Sequence, residues 1–132
     1  MGDSETLDDL YAAMDGGQTA FEAGDLDGWR AVTHAEAWSF QGTRFVAASE
    51  FFADGSAREQ ANQHADWTIL WRDGVIEGDT AAVWGEVEWG FTAGDVSVRL
   101  RLGCSWTQVR VDGQWLCLFS HYTIRNPEVL PS

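Results

Sequence analysis

Apolar residues near the start of the chain repeat with the spacing of an amphipathic helix. The stripe consists of Leu7, Leu10, Tyr11, Met14 and Phe21. This spacing predicts a helix over residues 4–23, with Ser4 as its N-cap. Gly16 and Gly17 weaken the middle of this helix. They mark either a bend or a place where another group must approach the backbone closely.

Shorter elements follow this first helix. Asp25 or Asp27 can cap a second, short helix that runs through Trp29 and Val32. The segment AEAWSF then has the pattern of a short strand. SEFFADGSAREQANQ, which begins at Ser49, predicts a third helix whose two phenylalanines face inward.

From Asp66 onward the hydrophobic period changes from that of a helix to the period of two that is typical of strands. The turn signals EGDT, TAGD and VDGQ divide this half into four segments. The predicted strands cover residues 66–77, 80–92, 95–111 and 114–125. Three helices followed by a long curved antiparallel sheet indicate an α+β fold, with residues 1–132 forming a single domain.

The turn sequences also predict the register of the strands. Asp112-Gly113 favours a two-residue type I′ hairpin that pairs Val111 with Gln114. Continuing this register gives three further expected pairs, which are Trp106 with Phe119, Cys104 with His121, and Gln108 with Cys117. No disulfide is therefore expected.

A two-residue turn at Ala93-Gly94 would place Glu88 opposite Arg99 and Glu86 opposite Arg101. Both would be stabilising cross-strand pairs of opposite charge, so these four charges have a structural explanation. The other face of the same hairpin, with Val87, Trp89 and Phe91, is expected to be buried.

The net charge of the chain disfavours some classes of binding partner. A net charge of -13 and a pI near 4.3 disfavour binding to nucleic acid and to anionic membrane surfaces. The first residues have neither a basic region nor an apolar core, so no signal peptide is expected. Together with two unpaired cysteines, this predicts a cytoplasmic protein.

Several segments resemble a known family. FEAGDLDGW, AEAWSFQG, VIEGDTAAVWGEVEW and VRVDGQWLCLFSHYT are similar to the end of the first helix, the first strand and two hairpins of the NTF2-like superfamily. Within it, the chain looks most like SnoaL-like or DUF4440-type members, which are ketosteroid isomerase-like in fold. The resemblance covers residues 7 to 125. It implies a cone-shaped α+β barrel, in which a curved mixed or antiparallel sheet wraps the long N-terminal helix and leaves a cavity.

The resemblance also implies acid–base chemistry without metal or cofactor, and a homodimer formed through the outer face of the sheet. The predicted outer face includes the apolar residues Val109, Leu116 and Leu118, which favour burial in such an interface. The chain departs from the family's enzymes at Phe119, where a second histidine often stands. No Gly-rich phosphate loop and no metal-ligand spacing is present, so we expect neither a cofactor nor a metal ion.

His121 is the first catalytic candidate, because strand alternation places it on one face with Trp115, Cys117 and Phe119. An imidazole titrates near neutral pH and suits proton transfer, but a core histidine bonded to a neighbour has the same pattern. His34 and Glu36 could form a second pair near the mouth of the cone, or a solvated junction. His64 is expected to cap the end of the third helix.

The aromatic residues suggest a ligand. The expected lining comprises Tyr11, Met14, Trp38, Phe40, Trp67, Trp71, Trp89, Trp106 and Phe119. Such a wall favours a small hydrophobic or aromatic molecule, through apolar burial and ring stacking. The sequence favours a cofactor-independent isomerase, cyclase, dehydratase or hydrolase. A non-catalytic small-molecule-binding protein and a dimeric association module of the same fold are the alternatives.

Overall fold

A computed structural model of the chain describes residues 6–41, 44–53, 55 and 66–131. Helix α1 covers Leu7–Glu22, α2 covers Leu26–Ala31, and α3 covers Ala48–Ala53. The N-cap of α1 is Thr6 and not the expected Ser4. Thr6 Oγ1 accepts a hydrogen bond from the backbone N–H of Asp9, whose carboxylate accepts one from the backbone N–H of Thr6. This capping box satisfies two of the donors that every helix start leaves unpaired.

The second helix begins as predicted, with Asp25 as its N-cap accepting from the backbone N–H of Gly28. The third helix is described only as far as Ala53, and the expected capping role of His64 lies outside the described residues. None of the described helices is long and apolar enough to cross a membrane.

Six strands form one mixed sheet. They are β1 at Thr33–Gln41, β2 at Phe45–Ala47, β3 at Asp66–Glu77, β4 at Thr80–Ala93, β5 at Val96–Val111 and β6 at Gln114–Pro131. Their order is β2-β1-β6-β5-β4-β3, and all neighbours are antiparallel except β1 and β6, which are parallel. Strands β3, β4 and β5 match the predicted segments to within one residue, whereas β6 continues six residues past the predicted end at 125. The α+β fold class is confirmed.

The hairpin between β5 and β6 starts in the predicted register and then departs from it. Val111 pairs with Gln114 and Gln108 with Cys117, as expected, but Thr107 pairs with Phe119. Leu118 is thus an extra residue in β6, which is a β-bulge. From Phe119 to Ile124 every residue of β6 is displaced by one position, and a second extra residue, Arg125, makes the displacement two from Asn126 onward. The expected pairs of Trp106 with Phe119 and of Cys104 with His121 are therefore wrong, and the partners are Ser120 and Tyr122.

The hairpin between β4 and β5 turns one residue later than expected. Ala93 pairs with Val96, so Gly94 and Asp95 form the turn, and Glu88 lies opposite Arg101 instead of Arg99. A displacement of two in pairing leaves the faces unchanged. Val87 is accordingly buried as predicted, and Arg99 still reaches Glu88 diagonally, with Nη1 2.9 Å from Oε1.

Strand β3 contains a bulge of its own. Ile69 pairs with Val87 and Trp71 with Glu86, which leaves Leu70 as the extra residue. The bulge turns Trp71 to the outer face, where its indole N–H donates to Glu86 Oε1 over 2.7 Å. Bulges bend a strand and increase its twist, so those in β3 and β6 contribute to the curvature of the sheet.

The core lies between α1 and the inner face of the curved sheet. Leu10 of α1 and Val83 and Val87 of β4 have at most 1% of their surface exposed. Gly17 supplies the close approach that its sequence position suggested. A Cβ atom added there would lie 2.6 Å from Cγ2 of Val32, the residue that ends α2.

Candidate functional site

A cavity of about 460 Å³ lies between α1 and the inner face of the sheet. Its volume is in the range of sites that hold small molecules. Side chains from all three helices and from the strands line it. The aromatic lining residues are Phe21, Trp29, Trp38, Phe51, Phe52, Trp67, Trp89, Trp106, Trp115 and Tyr122.

One wall of the cavity is a continuous aromatic surface. Trp67 of β3 and Trp89 of β4 are directly paired residues, and their rings stack with centroids 5.7 Å apart at an angle of 18°. Phe21 of α1 and Tyr122 of β6 contact Trp67, at centroid distances of 6.4 and 5.6 Å. Helix and sheet are thus joined here by ring contacts, and each ring is held by its neighbours.

Several nitrogen atoms of the lining residues lack hydrogen-bond partners. The Nε1 atoms of Trp67, Trp89 and Trp115 are buried and have no acceptor within the described protein, and the same is true of Nε2 of Gln18. Burying an N–H group without a hydrogen-bond partner costs about 1–3 kcal/mol of folding free energy. These nitrogen atoms are also out of contact with the open space of the cavity, although the residues that carry them line it.

Other polar groups of the lining are already bonded to one another. Trp106 Nε1 donates to the hydroxyl oxygen of Tyr122 over 3.1 Å, and Ser120 Oγ donates to Ser39 Oγ over 2.7 Å. Burial raises the pKa of Tyr122 far above its ordinary value of 10.0. Its phenol is a neutral hydroxyl at every physiological pH.

An ion pair links α1 to β3 at the cavity. Arg72 donates to both carboxylate oxygens of Asp15, with distances of 2.8 and 3.0 Å. The Arg72 side chain is 14% exposed and that of Asp15 56% exposed, so the pair spans from the cavity wall to solvent. The guanidinium also lies 4.0 Å from the centroid of the Tyr11 ring. The bulge at Leu70 is what brings Arg72 to the inner face in place of Trp71.

Two free thiols lie on the inner face. Cys117 lines the cavity, and Cys104 is part of the buried core. Burial raises the pKa of Cys117 to about 11 and that of Cys104 to about 12, from an ordinary value of 9.0. Both are therefore protonated near pH 7 and are weak nucleophiles.

Five of the nine predicted lining residues are at the cavity, namely Met14, Trp38, Trp67, Trp89 and Trp106. Trp38 contributes although it is 51% exposed. Tyr11 packs against the core under Arg72 and is not in the lining. Phe40, Trp71 and Phe119 are also outside the lining, since they lie on the outer face of the sheet.

His121 likewise faces away from the cavity. It follows the bulge at Leu118, so Ser120 and Tyr122 take the inward positions. The imidazole stacks against Phe40 with centroids 5.5 Å apart, and its Nε2 lies 3.1 Å from the hydroxyl oxygen of Thr123. The expected inward orientation of His121 is thus corrected, because the bulge reverses the alternation on which it depended.

His34 and Glu36 lie on β1 and are not in the cavity lining. His34 Nδ1 accepts a hydrogen bond from the backbone N–H of Glu36 over 3.0 Å. In a neutral imidazole the proton is then on Nε2. This hydrogen bond joins the imidazole to the backbone of Glu36, and Glu36 itself is exposed. The two side chains therefore do not form the His–carboxylate pair at the cavity that the sequence suggested.

Metal ligands are not grouped in the part of the chain that the structure describes. No three His, Cys, Asp or Glu side chains there are arranged so that they could hold a metal ion. The cavity offers aromatic rings and one ion pair instead. This arrangement suits a molecule with an apolar body and few polar atoms.

Sequence reasoning missed several lining residues. Trp115 precedes the bulge in β6, so strand alternation alone places it on the inner face. Trp29 and Phe21 also line the cavity, as an edge-to-face pair with centroids 4.8 Å apart. The helical period was a usable signal for Phe21. No local pattern, however, shows that Arg72 and Ser120 face inward, because each follows an unannounced bulge.

Known proteins show what the fold is. No protein-family model matches the sequence, and no curated protein matches it. Solved structures match over most of their length. An NTF2-like protein from Cytophaga hutchinsonii has 14% identity and a TM-score of 0.78, with 92% of this chain and 99% of that chain covered.

Two further structures are similar. A ketosteroid isomerase-like protein from Shewanella frigidimarina has 15% identity, a TM-score of 0.75 and coverages of 85% of this chain and 92% of its own. The association domain of CaMKII from C. elegans has 17% identity, a TM-score of 0.71 and coverages of 88% and 93%. At these identities the likeness establishes architecture alone. The chain therefore has the fold of the NTF2-like superfamily.

Proposed function

We propose that this protein binds a small hydrophobic or aromatic molecule in the cavity between α1 and the sheet, and that it does so without converting it. The observation that supports this most directly is the aromatic wall of Trp67, Trp89, Phe21 and Tyr122. Burial of apolar ligand surface against such rings is worth about 25 cal/mol per Å². Rings that already pack against one another lose little further freedom when a ligand binds.

The acid–base enzyme that the family resemblance suggested has less support. Among the described residues of the lining, the only carboxylate is Asp15, which is bonded to Arg72, and none is a histidine. Besides Arg72, the remaining titratable groups of this lining are Cys117 and Tyr122, whose raised pKa values keep them protonated. A group that is to accept a proton at neutral pH needs a pKa near 7. The SnoaL-like subtype also stays a prediction. That subtype led us to expect catalytic acid–base groups, and the described lining does not supply them.

A cavity-filling substitution tests binding. We expect Ala48→Trp, which adds an indole at a lining residue of α3, to weaken the binding of a naphthalene-type probe at least about tenfold. The measurement is equilibrium dialysis followed by absorbance of the probe. Ala53→Trp is the matched control, because Ala53 lies in the same helix, is exposed and is not in the lining.

The same experiment separates binding from catalysis. Recovery of the probe unchanged after long incubation is expected for a binding protein. Undiminished probe affinity in Ala48→Trp would contradict the proposed site, whereas a new product that depends on the cavity would support the enzyme.

We also propose a homodimer formed through the outer face of the sheet. Trp71, Val75 and Trp84 are 48%, 54% and 41% exposed on neighbouring strands of that face. Arg99 and Glu88 border them and offer charges of both signs to a second copy. We place the protein in the cytoplasm, a compartment that suits its free cysteines.

A further inference from the structure

We propose that the ligand carries a hydroxyl group on its apolar body, and that the side-chain amide of Gln108 accepts a hydrogen bond from this hydroxyl. The inference rests on the proposed function and adds the polar group of the ligand. It makes Gln108 a residue that determines specificity within the cavity.

Gln108 is buried in the protein but open to the cavity. It is on β5, which has β4 and β6 on its two sides, and its side chain lines the cavity. Only 4% of the residue is exposed. Its amide atoms nevertheless differ from the indole nitrogen atoms of Trp67, Trp89 and Trp115, since neither is among the unpaired atoms that are out of contact with open space. The open space beside an inner-face residue of a central strand is the cavity itself.

The amide of Gln108 has no strong hydrogen-bond partner among the described residues. Cys117 lies opposite it across the hairpin, and a thiol sulfur is only a weak acceptor. Ser120, the other buried polar residue of the described chain, has a partner, because it donates to Ser39 Oγ over 2.7 Å. Buried polar side chains are normally paired, since an unpaired one costs about 1–3 kcal/mol. The amide therefore indicates a partner that comes from the contents of the cavity.

The neighbouring thiol indicates which amide atom faces the ligand. Burial raises the pKa of Cys117, and the amide of Gln108 partly opposes that rise, which is the effect of an N–H group directed at the sulfur. With the nitrogen on the side of Cys117, the oxygen is the amide atom left for the cavity. An amide oxygen only accepts hydrogen bonds, so the ligand group has to donate. The amide has no charge to neutralise an ionised group, which favours a hydroxyl over an ammonium group.

The rings near Gln108 offer a surface for the apolar body of the ligand. Trp106 lies two residues before Gln108 on the same face of β5 and also lines the cavity. Its ring contacts that of Tyr122 at a centroid distance of 6.3 Å, and Tyr122 contacts Trp67 at 5.6 Å. A continuous line of rings thus joins the surroundings of Gln108 to the aromatic wall. A flat apolar body on these rings would have its hydroxyl group at the Gln108 end.

Three naphthalene probes test the proposal. 2-Naphthol has a hydroxyl group, 2-methylnaphthalene has a methyl group of similar size, and 2-methoxynaphthalene has an oxygen that cannot donate. We expect Gln108→Met, which keeps the length of the side chain and removes the amide, to weaken the binding of 2-naphthol by about 3–10-fold. The affinities of the other two probes should stay within about twofold of their wild-type values. Equilibrium dialysis measures all three.

Gln114→Met is the matched control. Gln114 lies in the same hairpin, is exposed and is not in the cavity lining. The same substitution at this position should leave the affinities of all three probes unchanged.

A second readout uses the wild-type protein alone. In the ¹³C-labelled protein, the side-chain carbonyl carbon of Gln108 should move downfield with 2-naphthol, as expected when a carbonyl oxygen accepts a hydrogen bond. 2-Methylnaphthalene has the same rings and should cause no such movement. Through-bond correlation to the backbone of Gln108 assigns the resonance, so this measurement decides the question even if Gln108→Met does not fold.

The outcomes distinguish this inference from the proposed function. If Gln108→Met weakens 2-naphthol and 2-methylnaphthalene alike, or weakens neither, the cavity remains a binding site but the role of Gln108 is overturned. Equal losses for 2-naphthol and 2-methoxynaphthalene would overturn the donation by the ligand. If no probe binds the wild-type protein, the proposed function fails and this inference fails with it. Selective loss of 2-naphthol affinity supports both.

Discussion

Cys104 and Cys117 show how burial changes the chemistry of a single residue. Neither thiol is paired, and both lie on the apolar inner face. Removal from water disfavours the charged thiolate, so the pKa values rise to about 12 and about 11. The folded protein therefore holds these protons more tightly than the unfolded chain does.

This difference predicts that stability falls in mild alkali. Between the ordinary thiol pKa of 9.0 and the folded values of about 11 and 12, the unfolded chain loses its thiol protons first. The free energy of unfolding should therefore decrease as pH rises from 8.5 to 10.5, by roughly 1.4 kcal/mol per thiol for each pH unit above 9. Urea unfolding at several pH values measures this decrease.

The variants Cys104→Ala and Cys117→Ala identify the source of the decrease. Each should have a shallower dependence on pH, even if its stability at pH 7 is lower because of the smaller side chain. An unchanged slope in both variants would show that other groups cause the decrease.

At the scale of an element, the two adjacent glycines of α1 have opposite surroundings. A Cβ atom at Gly16 would meet nothing within 4 Å, whereas one at Gly17 would collide with the Val32 side chain. In the interior of a helix, alanine is favoured over glycine by about 1 kcal/mol. That preference acts alone at position 16 and is opposed by steric overlap at position 17.

We therefore expect Gly16→Ala to raise the free energy of unfolding by about 0.5–1 kcal/mol and Gly17→Ala to lower it. Thermal or urea unfolding of the two variants is a direct comparison, since each serves as the control for the other. Combining Gly17→Ala with Val32→Ala should cost less than the sum of the two single changes. Additive effects would mean that the side chain of Val32 does not limit position 17.

The helices, β1 and the four long strands were predictable from the sequence because period and turn chemistry are local properties, whereas the three-residue strand β2 is too short to show a period. The Asp112-Gly113 turn gave the register of the last hairpin correctly as far as Cys117. The alternation after Leu118 was not predictable, since one extra residue reverses every later side chain. The bulge at Leu70 acts in the same way on Trp71. Three of the misplaced site residues, Trp71, Phe119 and His121, follow these two bulges.

At the scale of the whole molecule, the sheet has two contrasting faces. The inner face holds the core and the cavity, and the outer face exposes Trp71, Val75 and Trp84. Each copy also has a net charge of -13, which opposes association at low ionic strength. A dimer through the outer face should therefore become more stable as salt is added.

Trp84→Glu should break the proposed dimer. A two-fold interface contains every substituted residue twice, so the change would place two additional negative charges close together. Light scattering after size exclusion should then give a mass near 14.6 kDa instead of twice that value. Ala12→Glu adds the same charge on an exposed position of α1 and should leave the dimer intact. A monomeric wild-type protein would contradict the proposal.

The bulge in β6 has a further consequence for how this scaffold can change. The turn at Asp112-Gly113 fixes the pairing of the residues before Leu118. Deletion of Leu118 would therefore reverse the faces only of the side chains that follow it. The His121 imidazole, which now stacks on the convex side, would turn into the hollow, and Ser120 and Tyr122 would turn out of it. A single codon deletion would in this way bring an imidazole to the binding site without a substitution at any other position.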